Sequence, residues 1–390
     1  MSNPEQSQSL SRFILLLMTT AIAATAANLY YNQPILPLIA DEFHLSDAEL
    51  GSIPALTQLG YAFALLFISP LGDSVARRRV IGILSCLLVV SCGVAVIAPN
   101  LPILLVAVFL IGVSANITQQ LIPFAASLVS AKNKGATLGT LMMGLTIGIL
   151  LSRTLSGFVG EQFGWRSVFI MSALLAAVFG VLLGVFLPTN NPDTRLRYWP
   201  LIKSTLALFA QHKSLQQFTL AGACWFASFN VLWATLAIYV SEAPFEYNAQ
   251  QAGLFGVIAL AGVIGAKVSG RWVNHLGSKT LVMIALGLAA AGFAITGWFA
   301  GNLVSLIVGI ILIDFAIFSA QVANQVRVFS IDPKAQSRIN GIYMLGYYLG
   351  GALGSIVGVK AFSLYQWPGV VAVSILFILL SGMFNWPTKK

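Results

Sequence analysis

The sequence predicts an all-α integral membrane protein with twelve transmembrane helices in two six-helix bundles. Of its 390 residues, 58% are hydrophobic and only 8% are charged, whereas an ordinary soluble domain has about 25% charged residues. Apolar runs of about twenty residues, the length of helix that crosses a hydrocarbon core of about 30 Å, occur twelve times. The longest polar connection follows the sixth run and divides the chain into two sets of six.

The apolar runs define the predicted spans and the division of the chain. In order, we predict spans one to twelve at 13–38, 49–70, 80–98, 102–129, 137–159, 166–187, 215–240, 250–270, 280–299, 303–326, 339–360 and 367–386. This division makes 1–187 an N-terminal bundle, 188–214 a cytoplasmic linker and 215–390 a C-terminal bundle. The segment GTLMMGLTIG in span five matches GIYMLGYYLG in span eleven, 202 residues later. The match indicates duplication of a six-helix unit.

The basic residues indicate how the chain is oriented. Of the 21 Lys and Arg residues, 17 fall in loops on one side of the predicted topology. Arg166 and Lys360 fall on the other side, and Arg153 and Lys267 fall within spans. The positive-inside rule therefore predicts that both termini are cytoplasmic, and we expect a bacterial inner membrane. Because the cations are scattered among loops, the net charge of +9 does not indicate nucleic-acid binding.

Neither a cofactor, a metal site nor an enzymatic centre is predicted. The three cysteines lie apart within apolar runs and the three histidines are isolated in loops, so no metal-ligand cluster or disulfide framework is indicated. The chain has no glycine-rich phosphate loop ending in Gly-Lys-Ser/Thr and no His-Glu-x-x-His motif. These absences argue against an ATP-driven pump and an intramembrane metalloprotease.

The loop between spans two and three carries the most specific motif. Its sequence, SPLGDSVARRR at 69–79, resembles the signature loop of the major facilitator superfamily, with Leu71, Asp73, Arg77 and Arg78 at matching positions. The resemblance implies that Asp73, Arg77 and Arg78 form a cytoplasmic charge network that holds one half of the protein against the other. The alternative is that the arginines are only a topology signal.

Other segments extend this resemblance over the whole chain. The segment GRWVNHLGSK is a degenerate copy of the motif in the second half, with Asn274 where the family has aspartate, so it cannot form the same network. The run at 314–355, together with YYNQP at 30–34 and LLSRTLSG at 150–157, resembles the arabinose and sugar efflux permeases, a branch near the drug and proton antiporters.

Two opposite charges fall inside predicted spans. Arg153 interrupts span five, and Asp314 is the only acid deep within any span. An arginine in the hydrocarbon core costs about 3 kcal/mol even on lenient insertion scales, so it must face protein or water. The facilitator fold brings spans five and ten to one central cavity, which makes a pairing of the two geometrically feasible. Three roles stay open: a structural ion pair, an anchor for an anionic or polar substrate, and a proton-coupling switch in which Asp314 is protonated.

Polar and aromatic side chains concentrate in spans one, four, seven and ten, which line the cavity in this family. The candidate cavity residues are Asn28, Asn32, Asn116, Gln119, Gln120, Trp225, Asn230, Trp233, Gln321, Gln325 and, in span eleven, Tyr347. Hydrogen bonding between helices could account for any single amide. Tyr30 and Tyr31 fit an aromatic belt at the membrane boundary.

Together these observations predict a secondary active transporter that works by alternating access. The resemblance implies proton-coupled efflux of a small polar or amphipathic solute, such as a sugar, metabolite or drug. The expected partners are this solute, protons and the lipid bilayer, with no nucleic acid, and the protein is expected to be a monomer. The alternative is a facilitative uniporter or an importer of the same fold without proton coupling.

Overall fold

A computed structural model describes residues 11–189, 198–332 and 335–385 of the protein. Within these ranges the side chains of Asp47, Ala48, Asp73, Ala131, Lys132, Asn274 and Ser337 are not described. The described chain is almost entirely α-helical and contains no β-strand.

The helices confirm the predicted fold. Ten helical segments of the described chain are long and apolar enough to cross a membrane, and Ser52–Phe67 is a shorter apolar helix. The last segment contains two spans, because its helix turns at Gln366 (φ 53°, ψ −154°). The twelve spans comprise Arg12–Ala26, Ser52–Phe67, Arg77–Ile97, Leu101–Ser114 with Ile117–Leu128, Ala131–Phe163, Trp165–Phe186, Lys213–Ser241, Ala249–Ile258 with Ala261–Leu276, Ser278–Trp298, Leu303–Phe329 and the two arms of Gln336–Asn385.

Local sequence sets the helix ends in corresponding places of the two halves. The side chain of Asn100 caps the first helix of span four by accepting from the Ile103 amide at 3.2 Å. Asn302, exactly one repeat of 202 residues later, caps span ten by accepting from the Ser305 amide at 3.1 Å. An N-cap of this kind satisfies one of the amides that a helix start leaves unpaired. The shared caps support the duplication of the six-helix unit.

Span one is not the continuous helix that the range 13–38 predicts. Its α-helix ends at Ala26, a 3₁₀ turn covers Ala27–Leu29, and a second helix covers Leu36–Phe43. Pro34 lies in the irregular segment between them, and a proline has no amide hydrogen to continue a helical ladder. Non-helical backbone at membrane depth is tolerated where it is enclosed by protein or water, so this segment indicates where a site lies.

The two halves meet tightly at the predicted outer end. A Cβ added to Gly157 of span five would lie 3.0 Å from the Cα of Gly253 in span eight, and closer still to the carbonyl oxygen of Ala249. A Cβ added to Gly51 would lie 2.9 Å from the carbonyl oxygen of Ser355 in span eleven. Small residues at these crossings allow the backbones to approach, and the outer end is closed.

A cavity of about 210 Å³ lies between the halves at the predicted inner end. Spans two, four and eleven line it together with the helix Tyr198–Gln211, which belongs to the predicted linker. The Tyr198 hydroxyl donates to the carbonyl oxygen of Phe67 at 2.6 Å, and Arg338 donates to the Ser204 hydroxyl at 3.1 Å. This helix therefore contacts both halves beside the cavity.

Candidate functional site

Arg153 lies at the interface of the two halves and is almost completely buried, with 1% exposure. Its Nε donates to Oε1 of Gln33 at 2.8 Å. The guanidinium carbon lies 3.9 Å from the ring centre of Trp233 and 4.9 Å from that of Tyr30. Desolvated contacts of this kind contribute about 2 kcal/mol. Both terminal nitrogens, Nη1 and Nη2, have no hydrogen-bond partner among the described residues.

Asp314 is fully buried in the middle of span ten. Neither of its carboxylate oxygens has a hydrogen-bond partner in the described chain. The indole Nε1 of Trp233 lies beside the carboxylate without completing a hydrogen bond. Asp314 and Arg153 interact electrostatically, but no hydrogen bond joins them. The structure thus brings both intramembrane charges to one site and leaves their bonding atoms unused.

Further buried polar atoms of the described chain lack hydrogen-bond partners, and those of Gln33 and Trp233 belong to side chains that contact the guanidinium directly. Across the described residues they include Oδ1 of Asn32, Nε2 of Gln33, both amide atoms of Gln58, Oδ1 of Asn230 and Nε1 of Trp233. More than about 90% of buried polar groups in native proteins are hydrogen-bonded, and each exception costs about 1–3 kcal/mol. Such a concentration between the two halves is typical of a place where a polar solute binds.

Several predicted cavity residues make bonds between helices, and Asn32 is one of them because its Nδ2 donates to the Thr57 hydroxyl of span two at 2.9 Å. Asn28 accepts a hydrogen bond from Ser172, which joins spans one and six. Asn116 accepts from Ser69 at 3.1 Å, and Gln120 donates to the carbonyl of Ser69 at 3.3 Å, so both support the end of span two. These contacts favour the interhelical alternative for Asn28, Asn116 and Gln120.

Gln119 lines the inner cavity together with Arg77 and Arg338. Its amide donates to the hydroxyl of Tyr61 at 2.9 Å, and the Tyr61 ring lies 4.4 Å from that of Tyr348 in the other half. Tyr348 in turn lies beside the tyrosine that packs under the buried guanidinium. A layer of tyrosines therefore separates the cavity from the buried charges.

The remaining candidates lie within the C-terminal half. Trp225 is buried beside Tyr347, whose ring stacks at 3.8 Å on a phenylalanine of span seven. Gln321 accepts from the Tyr343 hydroxyl at 2.8 Å, and Gln325 donates to an asparagine of span eleven at 3.4 Å. These residues connect spans seven, ten and eleven.

Arg78 of the motif loop bonds within the N-terminal half. Arg78 donates to the carbonyl oxygens of Leu187, at 3.0 Å, and Gly184, at the end of span six. The resemblance implied a contact between the halves, whereas this arginine joins spans three and six, where the negative end of the helix favours a cation. Arg77 lines the inner cavity. The side chain of Asp73 lies outside the described residues.

The structure adds site residues that the sequence analysis missed. Tyr30 is 3% exposed and packs against Arg153, so the aromatic-belt interpretation is wrong for this tyrosine. Gln33 orients the guanidinium by accepting a hydrogen bond from its Nε. The sequence predicted no role for this glutamine of the YYNQP segment. Gln58 and Phe229 complete the surroundings of the charges. A glutamine in an otherwise apolar run was the available signal for Gln58.

A charged cluster holds the predicted outer end of the N-terminal half together. Glu42 accepts hydrogen bonds from Arg166 and, at 2.7 Å, from the Trp165 indole. Arg166 also donates to the carbonyl oxygens of Val96 and Ala98 at 2.9 and 3.0 Å. The hydrogen bonds from Arg166 hold the pKa of the Glu42 carboxyl below its ordinary value. This cluster is structural and lies apart from the buried charges.

Comparison with known proteins places this geometry among membrane transporters. The family model of the Major Facilitator Superfamily matches residues 16–355. The chain is 33% identical to the uncharacterized transporter YgaY of Escherichia coli O157:H7, covering 97% of this chain and 96% of that protein. It is 31% identical to the probable transporter SCO4007 of Streptomyces coelicolor, covering 95% and 86% respectively.

Solved structures show the same fold at low sequence identity. A bacterial homolog of the human lysosomal transporter Spinster, inward-facing and unoccupied, superposes with a TM-score of 0.74 at 16% identity, covering 97% of both chains. The nucleoside transporter NupG superposes with a TM-score of 0.72 at 16% identity, covering 95% of this chain and 97% of that one. At these identities the likeness establishes the fold alone.

Proposed function

Because the chain belongs to the major facilitator superfamily of membrane transporters, we propose that it exports a small polar or amphipathic solute in exchange for protons. The observation that carries the proposal is the buried pair of Arg153 and Asp314 between the two halves, with four bonding atoms that lack partners among the described residues. A site of this kind is exposed to either side in turn when two bundles rock against each other.

The described conformation fits one stage of such a cycle. The outer end is closed at Gly157 and Gly51, and the inner end holds the cavity. A solute enters from the cytoplasm through the cavity, passes the layer at Tyr61 and Tyr348, and reaches the buried charges. Rocking then separates the glycine contacts, closes the cavity and releases the solute outside.

Proton coupling is assigned to Asp314. Arg153 stays charged at any accessible pH, whereas a carboxyl is negative or neutral according to its proton. Protonation of Asp314 therefore changes the net charge of the site from zero to +1, and a solute that needs the carboxylate must compete with the proton. One proton moving inward contributes about 2.3 kcal/mol per 100 mV of membrane potential.

The test uses the purified protein in proteoliposomes with a pH gradient and a pH-sensitive dye inside. The panel contains sugars, amino acids, antibacterial compounds and, because NupG is a nucleoside transporter, nucleosides. We expect Asp314→Asn to lose proton-driven accumulation and to retain solute exchange only at raised solute concentration, because the solute loses its contact with the carboxylate. Asp41→Asn, at an exposed position of the helix Leu36–Phe43, is expected to behave as wild type. If Asp314→Asn retains the full dependence on the proton gradient, Asp314 is not the coupling group.

We also propose a bacterial inner-membrane location with both termini cytoplasmic, a monomer, and bundle boundaries at 1–187 and 215–390 joined by the linker 188–214. In intact cells, a membrane-impermeant maleimide is expected to label Asp41→Cys but to label Ser214→Cys only after lysis. The reverse labelling pattern would invert the orientation and the proposed direction of transport.

A further inference from the structure

We propose that the transported solute is a zwitterion of the α-amino-acid type, whose carboxylate binds Arg153 and whose ammonium group binds Asp314. The inference rests on the proposed function and names the substrate class of that same site. It depends on the unused bonding atoms of the two side chains and on what surrounds them.

The guanidinium of Arg153 is prepared for a carboxylate. Its Nε donates to Gln33 at 2.8 Å, and its central carbon lies over the ring of Trp233. These two contacts fix the orientation of the guanidinium. The two terminal nitrogens remain without partners in the described chain. A planar guanidinium with two such donors binds a carboxylate in a bidentate manner.

The carboxylate of Asp314 is complementary to an ammonium group. Both of its oxygens lack partners among the described residues, although the side chain is fully buried. An ammonium group brings three donors, enough to bond both of these oxygens.

The two charges together select for a solute that carries both signs. A purely anionic solute would satisfy Arg153 but would face the negative charge of Asp314, and a purely cationic solute would face the reverse mismatch. Like-charge juxtaposition of this kind costs several kcal/mol in a protein interface. A neutral sugar would leave both ionic groups without an ionic partner. While Asp314 is ionised, a zwitterion is the class of solute that satisfies both groups at once.

Aromatic rings lie around the buried guanidinium. The guanidinium contacts the rings of Trp233, Tyr30 and Phe229. The ring centre of Phe229 lies 6.1 Å from that of Phe318 in span ten. Rings on this side of the charges favour neutral amino acids with hydrophobic side chains over strongly polar ones.

The test measures binding by the full-length protein and transport in proteoliposomes with matched ligand sets. Alanine, leucine and phenylalanine are compared with their amides, which lack the carboxylate, and with their N-acetyl derivatives, which lack the ammonium group. Arabinose and a nucleoside serve as ligands of other classes. We expect each modification to weaken binding by at least about tenfold, because each removes a charge-assisted hydrogen-bonded pair.

Substitutions connect each half of the ligand to its residue. Arg153→Gln is expected to abolish the preference for the amino acid over its amide, and Asp314→Asn to abolish the preference over the N-acetyl derivative. Arg153→Lys keeps the positive charge and is expected to retain part of the preference for the amino acid over its amide. This variant tests the role of Arg153 if Arg153→Gln does not fold. Arg166→Gln, in the outer cluster, is the control and keeps both preferences.

The outcomes separate this inference from the proposed function. If arabinose or a nucleoside exchanges with protons while no free amino acid binds, the zwitterion class is wrong and the antiport stands. If free amino acids bind selectively but move without any dependence on protons, the class stands and the antiport is wrong. If the substitutions weaken the three ligand forms equally, the two residues do not read the two charges and the inference fails.

Discussion

Replacing Gly157 by alanine should open the predicted outer end of the transporter. Gly157 of span five lies against span eight, and the three nearest atoms that an added Cβ would meet, Cα of Gly253 and the carbonyl carbon and oxygen of Ala249, all belong to the backbone. Backbone atoms cannot rotate away as a side chain does. The alanine is therefore accommodated only if the two spans move apart.

The size of the effect follows from this crossing. An added Cβ would lie 3.0 Å from Cα of Gly253 and closer still to the carbonyl oxygen of Ala249, whereas ordinary contacts fall between 3.4 and 4 Å. The helices must therefore separate by about 1 Å to relieve the shorter contact. Overpacking of this kind costs about 1–3 kcal/mol. The cost falls on the closed state alone, because rocking removes the contact. At 1.4 kcal/mol per tenfold change, the ratio of closed to open protein falls by about 5- to 140-fold.

Spin labels on either side of the crossing measure this shift. The side chains of Gln162 and Gln250 are joined by a hydrogen bond of 3.1 Å, so labels at these positions report the opening directly by electron-resonance distance measurement. Gly139→Ala is the matched control, because it lies in the same helix and an added Cβ there meets nothing within 4 Å. Identical distance distributions for Gly157→Ala, Gly139→Ala and wild type would refute the assignment of the crossing as the outer gate.

Two further predictions concern stability, measured as the midpoint of thermal unfolding in detergent. Since the pKa of Glu42 is lowered by Arg166, Glu42→Gln should destabilise the protein at pH 7, and the difference from wild type should vanish as the pH falls below about 4, near the ordinary glutamate value. The two side chains are 44% and 31% exposed, so the effect is at most about 1 kcal/mol; a pH-independent difference would contradict this assignment. Arg78→Ala should lower the free energy of unfolding by about 1–3 kcal/mol, because it leaves carbonyl oxygens at the end of span six unpaired. Replacement of the exposed Arg79 by alanine should change the stability little. Equal effects of the two substitutions would contradict this difference in role.

The fold was predictable because span length and loop charge are set by the bilayer itself. A run of about twenty apolar residues has one low-energy arrangement in hydrocarbon, and twelve such runs with a repeat of 202 residues leave little freedom in topology. The break in span one was less visible, since apolar residues continue through 27–38. There the proline and the enclosed surroundings decide the backbone, and hydropathy does not report either.

The site was predictable only in part, because a buried charge indicates a functional site more specifically than a buried amide does. Arg153 and Asp314 stood out since an ion in an apolar run requires a polar neighbour. Amides in a membrane either bond a neighbouring helix or keep atoms unpaired for a solute. Asn28 bonds a neighbouring helix, whereas Asn32 donates to Thr57 of span two and keeps its Oδ1 unpaired within the described structure. Spacing along a helix cannot distinguish these uses, because the distinction depends on which helix packs opposite.

The duplication also explains why each half contributes one charge rather than two. With a repeat of 202 residues, Ser355 is the position of the second half that corresponds to Arg153, and Gly112 is the position of the first half that corresponds to Asp314. A side chain at Gly112 would meet the carbonyl oxygen of Thr57, so that position serves the packing of spans two and four and excludes an aspartate. Ser355 likewise presents its carbonyl to the outer crossing of spans two and eleven. A symmetric site would hold an arginine and an aspartate in each half. This asymmetric site has one cation in the N-terminal half and one anion in the C-terminal half. A solute with two different ends therefore binds it in only one orientation.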